Sequence, residues 1–128
     1  MEEEKRVLVI EDDPILRELL AEWLLAAGDC VGVAAEGASG IADARAHPPA
    51  LVVTDIRMPG TGGATVIAEV RRMYPEIPVI AISAHFRSDL GLAPEDALAL
   101  GAARTLAKPF KRKEMVGAVL ELAGPPAA

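Results

Sequence analysis

Residues 6–14 read Arg-Val-Leu-Val-Ile-Glu-Asp-Asp-Pro: four apolar side chains running straight into three acids and a proline. A short apolar run without polar alternation is the mark of a strand buried on both faces, and such strands belong to parallel sheets. Asp13 then offers an N-cap and Pro14 a first helical residue. The stretch predicts a strand over Arg6–Ile10 feeding directly into a helix, the opening of a βαβ unit.

Outward from that stretch the alternation continues to the end of the chain. Ile15, Leu16, Leu19, Leu20, Trp23 and Leu24 form one stripe at helical spacing, with Gly28 as its stop. Cys30–Ala35 reads as a second strand. Ala38–His47 reads as an Ala-rich helix with Ile41 and Ala42 on a modest apolar face, stopped by Pro48-Pro49. Leu51–Thr54 is a third strand running into Asp55. Met58–Gly63 is a loop, and Val66, Ile67, Val70 and Met73 mark a helix that closes near Pro75. Ile77–Ile82 is a fourth strand, Pro94–Leu100 a helix, Ala103–Ala107 a fifth strand, and Lys111–Leu122 a last helix with Met115, Val116, Val119 and Leu120 inward. Five strands alternating with five helices argue for an α/β fold, a parallel sheet covered on both faces. The whole chain, 1–128, is expected to be one domain with its core over 5–122 and a frayed tail at 123–128.

Composition agrees. Just over half of the 128 residues are hydrophobic, and the only aromatics are Trp23, Tyr74, Phe86 and Phe110, so the core must be aliphatic. The net charge of −6 argues against direct nucleic-acid binding, although Lys108, Lys111, Arg112 and Lys113 form a local basic run. Cys30 is the single cysteine, which excludes an internal disulfide and a Cys-rich metal site. No apolar stretch approaches the ~20 residues a membrane span requires, and the polar, acidic N-terminus is no signal peptide. A cytoplasmic protein is expected.

In an open parallel sheet, ligands bind outside the carboxyl ends of the strands. There this sequence places Glu11, Asp12 and Asp13 after strand one, Asp55 after strand three, Ser83 after strand four and Lys108 after strand five. Crowded carboxylates repel one another unless something neutralises them. A hard divalent cation does so, and oxygen donors without a His or Cys cluster favour Mg²⁺ over zinc. Each group has a bland reading by itself: Asp13 as a helix cap, Lys108 as a surface residue. Their joint occurrence at successive strand ends favours a site. Gly60, Gly62 and Gly63 do not follow a nucleotide-binding glycine pattern.

These segments resemble the receiver domain of two-component response regulators. Val7 to Pro14 is similar to that family's first strand and acidic pair, and Asp55-Ile56-Arg57-Met58-Pro59-Gly60 with Gly63 to its phosphoacceptor signature. Ile80-Ala81-Ile82-Ser83-Ala84 and Ala107-Lys108-Pro109-Phe110 look like its hydroxyl-bearing strand end and lysine–proline motif. The resemblance runs from about Lys5 to Leu122. It implies a flavodoxin-like, doubly wound five-stranded sheet in the order 2-1-3-4-5. It implies that Asp55 is the phosphoacceptor, that Asp12 and Asp55 ligate Mg²⁺ with Glu11 acting through water and the Arg57 carbonyl adding a ligand, and that Lys108 and Ser83 bind phosphoryl oxygens. A cis peptide is implied at Lys108–Pro109. So are a phosphohistidine donor on a sensor histidine kinase or phosphotransfer protein, a downstream protein partner, and a possible homodimer through helix 4, strand 5 and helix 5.

The chain departs from the family at three places. Thr105 stands where members carry a Tyr or Phe used in switching, Glu11 stands where many have Asp, and the connection His85–Ala93 is long. Ala84 leaves room for donor or water, and His85 or Phe86 could report the switch. The family implies a signalling domain and not an enzyme. The rival reading is a Mg²⁺-dependent phosphohydrolase with an aspartyl nucleophile, which expects a second carboxylate at position 57, where this chain has Arg57. A flavodoxin-like cofactor binder expects a Ser/Thr/Gly-rich loop after strand one, where this chain has acids.

Overall fold

The computed structural model describes residues 5–57, 60–83 and 94–125. Strands β1 (Arg6–Ile10), β2 (Cys30–Ala34), β3 (Leu51–Asp55), β4 (Val79–Ser83) and β5 (Arg104–Ala107) alternate with helices α1 (Pro14–Ala26), α2 (Gly37–Ala46), α3 (Gly63–Met73), α4 (Pro94–Ala99) and α5 (Arg112–Ala123). All strand pairs are parallel. Their order is β2-β1-β3-β4-β5, the doubly wound arrangement implied above. Registers bring Ile10 beside Thr54, Asp55 beside Ile82, and Ser83 beside Ala107. The residues that follow β1, end β3 and β4, and follow β5 therefore meet at one edge.

The three central strands are apolar along most of their length because each face of the sheet is roofed by helices. Val7, Val9, Leu51, Val53, Ile80 and Ile82 point to one side, against Leu20 and Leu24 of α1 and Met115, Ala118 and Val119 of α5. Leu8, Ile10, Val52, Val79 and Ala81 point to the other, against Ala44 of α2, Val66, Ile67 and Val70 of α3, and Ala97 of α4. Each fully buried Val, Leu or Ile contributes roughly 1.5–3 kcal/mol relative to exposure, so these two layers supply the main driving force.

Three helices differ from the sequence reading. In α1, Leu20 and Leu24 are buried, but Ile15 is 78% and Leu19 37% exposed. Both side chains border an open groove that Trp23 and Phe110 also line, so they are only partly covered. In α2, Ala42 is exposed and the inward face is Gly37, Gly40 and Ala44. A Cβ on Gly40 would stand 2.3 Å from Ile10 Cδ1, so α2 lies against β1 with no room for a larger residue. In α5, Leu120 is half exposed and Ala118 takes the inward position. The basic start of α5 is offset locally: the Glu114 carboxylate accepts from the Lys111 N–H at 2.9 Å. As expected, α1 ends at a left-handed glycine, Gly28 (φ 99°), whose N–H reaches Leu25 O at 3.0 Å.

Candidate functional site

The three acids after β1 have three different fates. Asp13 caps α1, its Oδ1 accepting from the Ile15 N–H at 2.9 Å. Asp12 is exposed. Glu11 is fully buried. Its N–H donates to Ala34 O at 3.0 Å, extending the β1–β2 ladder by one residue and turning the side chain inward. Its Oε2 accepts from the Asp13 N–H at 3.1 Å, and its carbonyl accepts from Arg17 Nη1 at 2.9 Å.

Asp55 closes β3 and is 4% exposed. Its Oδ1 accepts from the Arg57 N–H at 3.1 Å and its Oδ2 from Lys108 Nζ at 2.8 Å. The Thr54 hydroxyl donates to the Asp55 carbonyl at 3.1 Å. The start of α3 presses on this strand end: a Cβ on Gly63 would lie 2.4 Å from the Asp55 carbonyl oxygen and 2.5 Å from Ile56 Cα. Glycine at 63 is a requirement of backbone approach.

Lys108 follows β5 and its N–H donates to Ser83 O at 3.0 Å, which ties it to the end of β4. The Lys108–Pro109 peptide is cis, as the resemblance implies. Besides Asp55, Lys108 Nζ lies 3.0 Å from Glu11 Oε1. That contact is an ion pair outside hydrogen-bond geometry, so Glu11 Oε1 is a buried oxygen without a hydrogen-bond partner. Ser83 is buried at the same edge.

Among the described residues, one ammonium, that of Lys108, faces the two buried carboxylates, with Asp12 beside them. Burial pushes the Glu11 carboxyl up from 4.5 to about 7, and the Asp55 charge adds to this; the Asp13 N–H and Lys108 oppose it without overcoming it. For Lys108, burial alone would lower the pKa, but the attraction of the Asp55 and Glu11 carboxylates outweighs it and the ammonium is held above its ordinary value. Carboxylate oxygens of Glu11, Asp12 and Asp55 all lie within 4.8 Å of one another. A set made only of oxygen donors and rich in negative charge fits a hard divalent cation of the Mg²⁺ kind.

The sequence-predicted residues thus meet: Glu11, Asp12, Asp55 and Lys108 form one cluster, and Ser83 lies at its edge. Arg57 is exposed, with its N–H on Asp55. Sequence reasoning missed Arg17, which pins the Glu11 carbonyl from the second turn of α1; its spacing from the Asp13 cap was the available signal. It also missed Thr54 and the packing reason for Gly63. The readings of Met58, Pro59, Ala84, His85, Phe86 and the His85–Ala93 connection fall, in whole or in part, outside the described residues.

With this geometry in place, similarity to known proteins is informative. Residues 7–120 match the model of the response regulator receiver domain. The probable transcriptional regulatory protein NarL of Mycobacterium tuberculosis is 40% identical over 123 residues, covering 94% of this chain and 56% of that protein. The chain spans about half the length of such curated relatives. Among solved structures, the response regulator TrrA of Thermotoga maritima, in complex with Mg²⁺ and beryllofluoride, is 32% identical with a TM-score of 0.79, covering 92% of this chain and 98% of that one. The receiver domain of a Pseudomonas aeruginosa sensor histidine kinase, with a magnesium ion coordinated in its active-site cleft, is 26% identical with a TM-score of 0.84, covering 94% of this chain and 98% of that one. A doubly wound sheet that gathers buried acids and a lysine at one edge, and a family match over nearly its whole length, lead to one conclusion: the chain belongs to the response regulator receiver domain family, the flavodoxin-like signalling domain of two-component systems.

Proposed function

We propose that Asp55 accepts a phosphoryl group from a phosphohistidine on a sensor histidine kinase or a histidine phosphotransfer protein. The observation that carries this reading is the position of Lys108 Nζ, 2.8 Å from Asp55 Oδ2 and 3.0 Å from Glu11 Oε1. It places a fixed cation where charge develops on a transferred group. An Asp55 oxygen attacks phosphorus, the P–N bond of the donor breaks, its electron pair leaves on the imidazole, and an aspartyl phosphate forms. The Arg57 N–H holds the other Asp55 oxygen and orients the nucleophile. Lys108 then pairs with a phosphoryl oxygen, and the Ser83 hydroxyl binds another.

Mg²⁺ is the cofactor this site fits, held by Asp12 and Asp55, with Glu11 through water and the Arg57 carbonyl as further contributors. The chemistry it supplies when bound is positive charge that offsets the carboxylates and the transferring oxygens. The Mg²⁺ in the TrrA and Pseudomonas structures supports this assignment. Chemistry beyond self-phosphorylation and loss of the phosphoryl group to water is not part of the reading. Arg57 occupies the place of a phosphohydrolase's second carboxylate, so that rival gains no support.

We read residues 1–128 as one receiver domain acting in the cytoplasm. Its output passes to a protein partner, or to a second copy through α4, β5 and α5, without direct nucleic-acid contact. No helix among the described residues is long and apolar enough to cross a membrane.

The test is incubation with acetyl phosphate and Mg²⁺, followed by intact mass. The expected result is a single phosphate-sized gain, absent in Asp55→Asn and lost with Asp12→Ala through weakened metal binding. Labelling of Asp55→Asn to the wild-type extent removes the assignment. Lys108→Ala is expected to retain Mg²⁺ binding while losing the conformational response to beryllofluoride.

A further inference from the structure

Between α1 and the loop joining β5 to α5 lies an open cavity of about 300 Å³. Its apolar lining includes Ile15, Leu16, Leu19, Trp23, Pro109 and Phe110, and Lys108 reaches it as well. Trp23 and Phe110 are half-buried and meet edge to face, with ring centroids 6.4 Å apart and planes at 66°. The two walls of this groove hang on the same carboxylate. Glu11 Oε2 accepts from the Asp13 N–H at the start of α1, and Glu11 Oε1 lies 3.0 Å from Lys108 Nζ at the start of the opposite wall. Lys108 is in turn bonded to Asp55.

Resting on the assignment of Asp55 as phosphoacceptor, we propose that phosphorylation is read at this groove, as a change in the packing of Phe110 against Trp23. A phosphoryl group ties up one Asp55 oxygen and adds oxygens bearing negative charge farther out. Lys108 Nζ follows that charge and leaves its place between Asp55 and Glu11. Lys108 lines the groove beside Phe110, so withdrawal of its side chain from Glu11 changes what that ring packs against. The ring can respond because it borders open space, whereas side chains in the close-packed sheet layers cannot move singly. An edge-to-face ring pair is weak enough for a change at the site to shift its population. Thr105, half-buried on β5, offers no ring for this purpose.

Trp23 is the only tryptophan, so its fluorescence reports on this place alone. The experiment follows Trp23 emission and intact mass on the same samples, with Mg²⁺ alone as baseline and then with acetyl phosphate added, in the full chain and in Phe110→Leu. The expected result is a phosphate-sized gain in both proteins, with a shift of Trp23 emission in the wild type that is lost in Phe110→Leu. Full mass gain with unchanged Trp23 emission overturns the inference and leaves the Asp55 assignment standing. An equal emission shift in Phe110→Leu overturns it too, because the ring pair is then not the link. No mass gain in the wild type removes the Asp55 assignment and this inference together.

Discussion

The sheet carries a buried lysine–carboxylate cluster at each end, and the two are built differently. At the end remote from the site, Lys5 Nζ sits 2.9 Å from Asp29 Oδ1 and also donates to the Gly124 carbonyl at the C-terminus of α5. The side chains are 9% and 3% exposed. One cation meets one anion, with a carbonyl to occupy a further donor, and the result joins the start of β1, the α1–β2 turn and the end of α5. At the other end, Lys108 meets both Asp55 and Glu11, with Asp12 alongside. The same residue types give a balanced clamp in one place and an anionic excess in the other. Burial tolerates a matched pair and penalises the unmatched charge, so the excess fits the further cation proposed for the site.

The contrast predicts different outcomes when a buried carboxylate is lost at the two ends. The largest effect belongs to the clamp. Asp29→Ala leaves the Lys5 ammonium buried without its partner and is expected to cost about 3–5 kcal/mol in urea unfolding. Acetyl phosphate labelling of the fraction that stays folded is unaffected. A loss below 1 kcal/mol would erase the distinction between the two ends.

At the site, Glu11→Gln is expected to abolish a pH dependence of metal-free stability that the wild type shows. The sign follows from protons bound. With a folded pKa of about 7 against 4.5 in the unfolded chain, the folded state holds more protons between those values. Metal-free stability therefore falls as pH rises from about 4.5 to about 7, and is level with respect to this group above that. Urea titrations in EDTA across this window should show the decline in the wild type and its absence in Glu11→Gln. Added Mg²⁺ should flatten the wild-type curve, since a bound cation favours the ionised carboxylate. A metal-free wild type that gains stability through this window would contradict the account of Glu11.

A smaller effect tests how tightly the site end is packed. Gly63→Ala places a methyl 2.4 Å from the Asp55 carbonyl oxygen, where backbone and not a flexible side chain must yield. The expected loss is about 1–3 kcal/mol in unfolding, with slower labelling of Asp55 at equal Mg²⁺. Wild-type labelling in that variant would show that the strand end gives way without moving its carboxylate.

What the sequence determined by itself was whatever a local pattern encodes. Val7–Ile10, Leu51–Thr54 and the run through Ile82 announce buried parallel strands, because only a sheet covered on both sides buries consecutive side chains. Asp13-Pro14 and Gly28 bracket α1 because cap chemistry is local. The acids and lysine at strand ends were legible as a set because parallel strands deliver their carboxyl ends to one edge. The tertiary structure alone decided which apolar residues the helices bury: Ile15, Leu19 and Leu120 belong to the predicted stripes as fully as Leu20, Leu24 and Val119, yet stay 78%, 37% and 51% exposed. It also decided that Glu11 turns inward beside Lys108 while Asp12 faces solvent, and that Lys5, Asp29 and Gly124 form a clamp. Those outcomes depend on contacts between residues up to 119 positions apart, and spacing along a chain carries no information about which distant partner a side chain will meet.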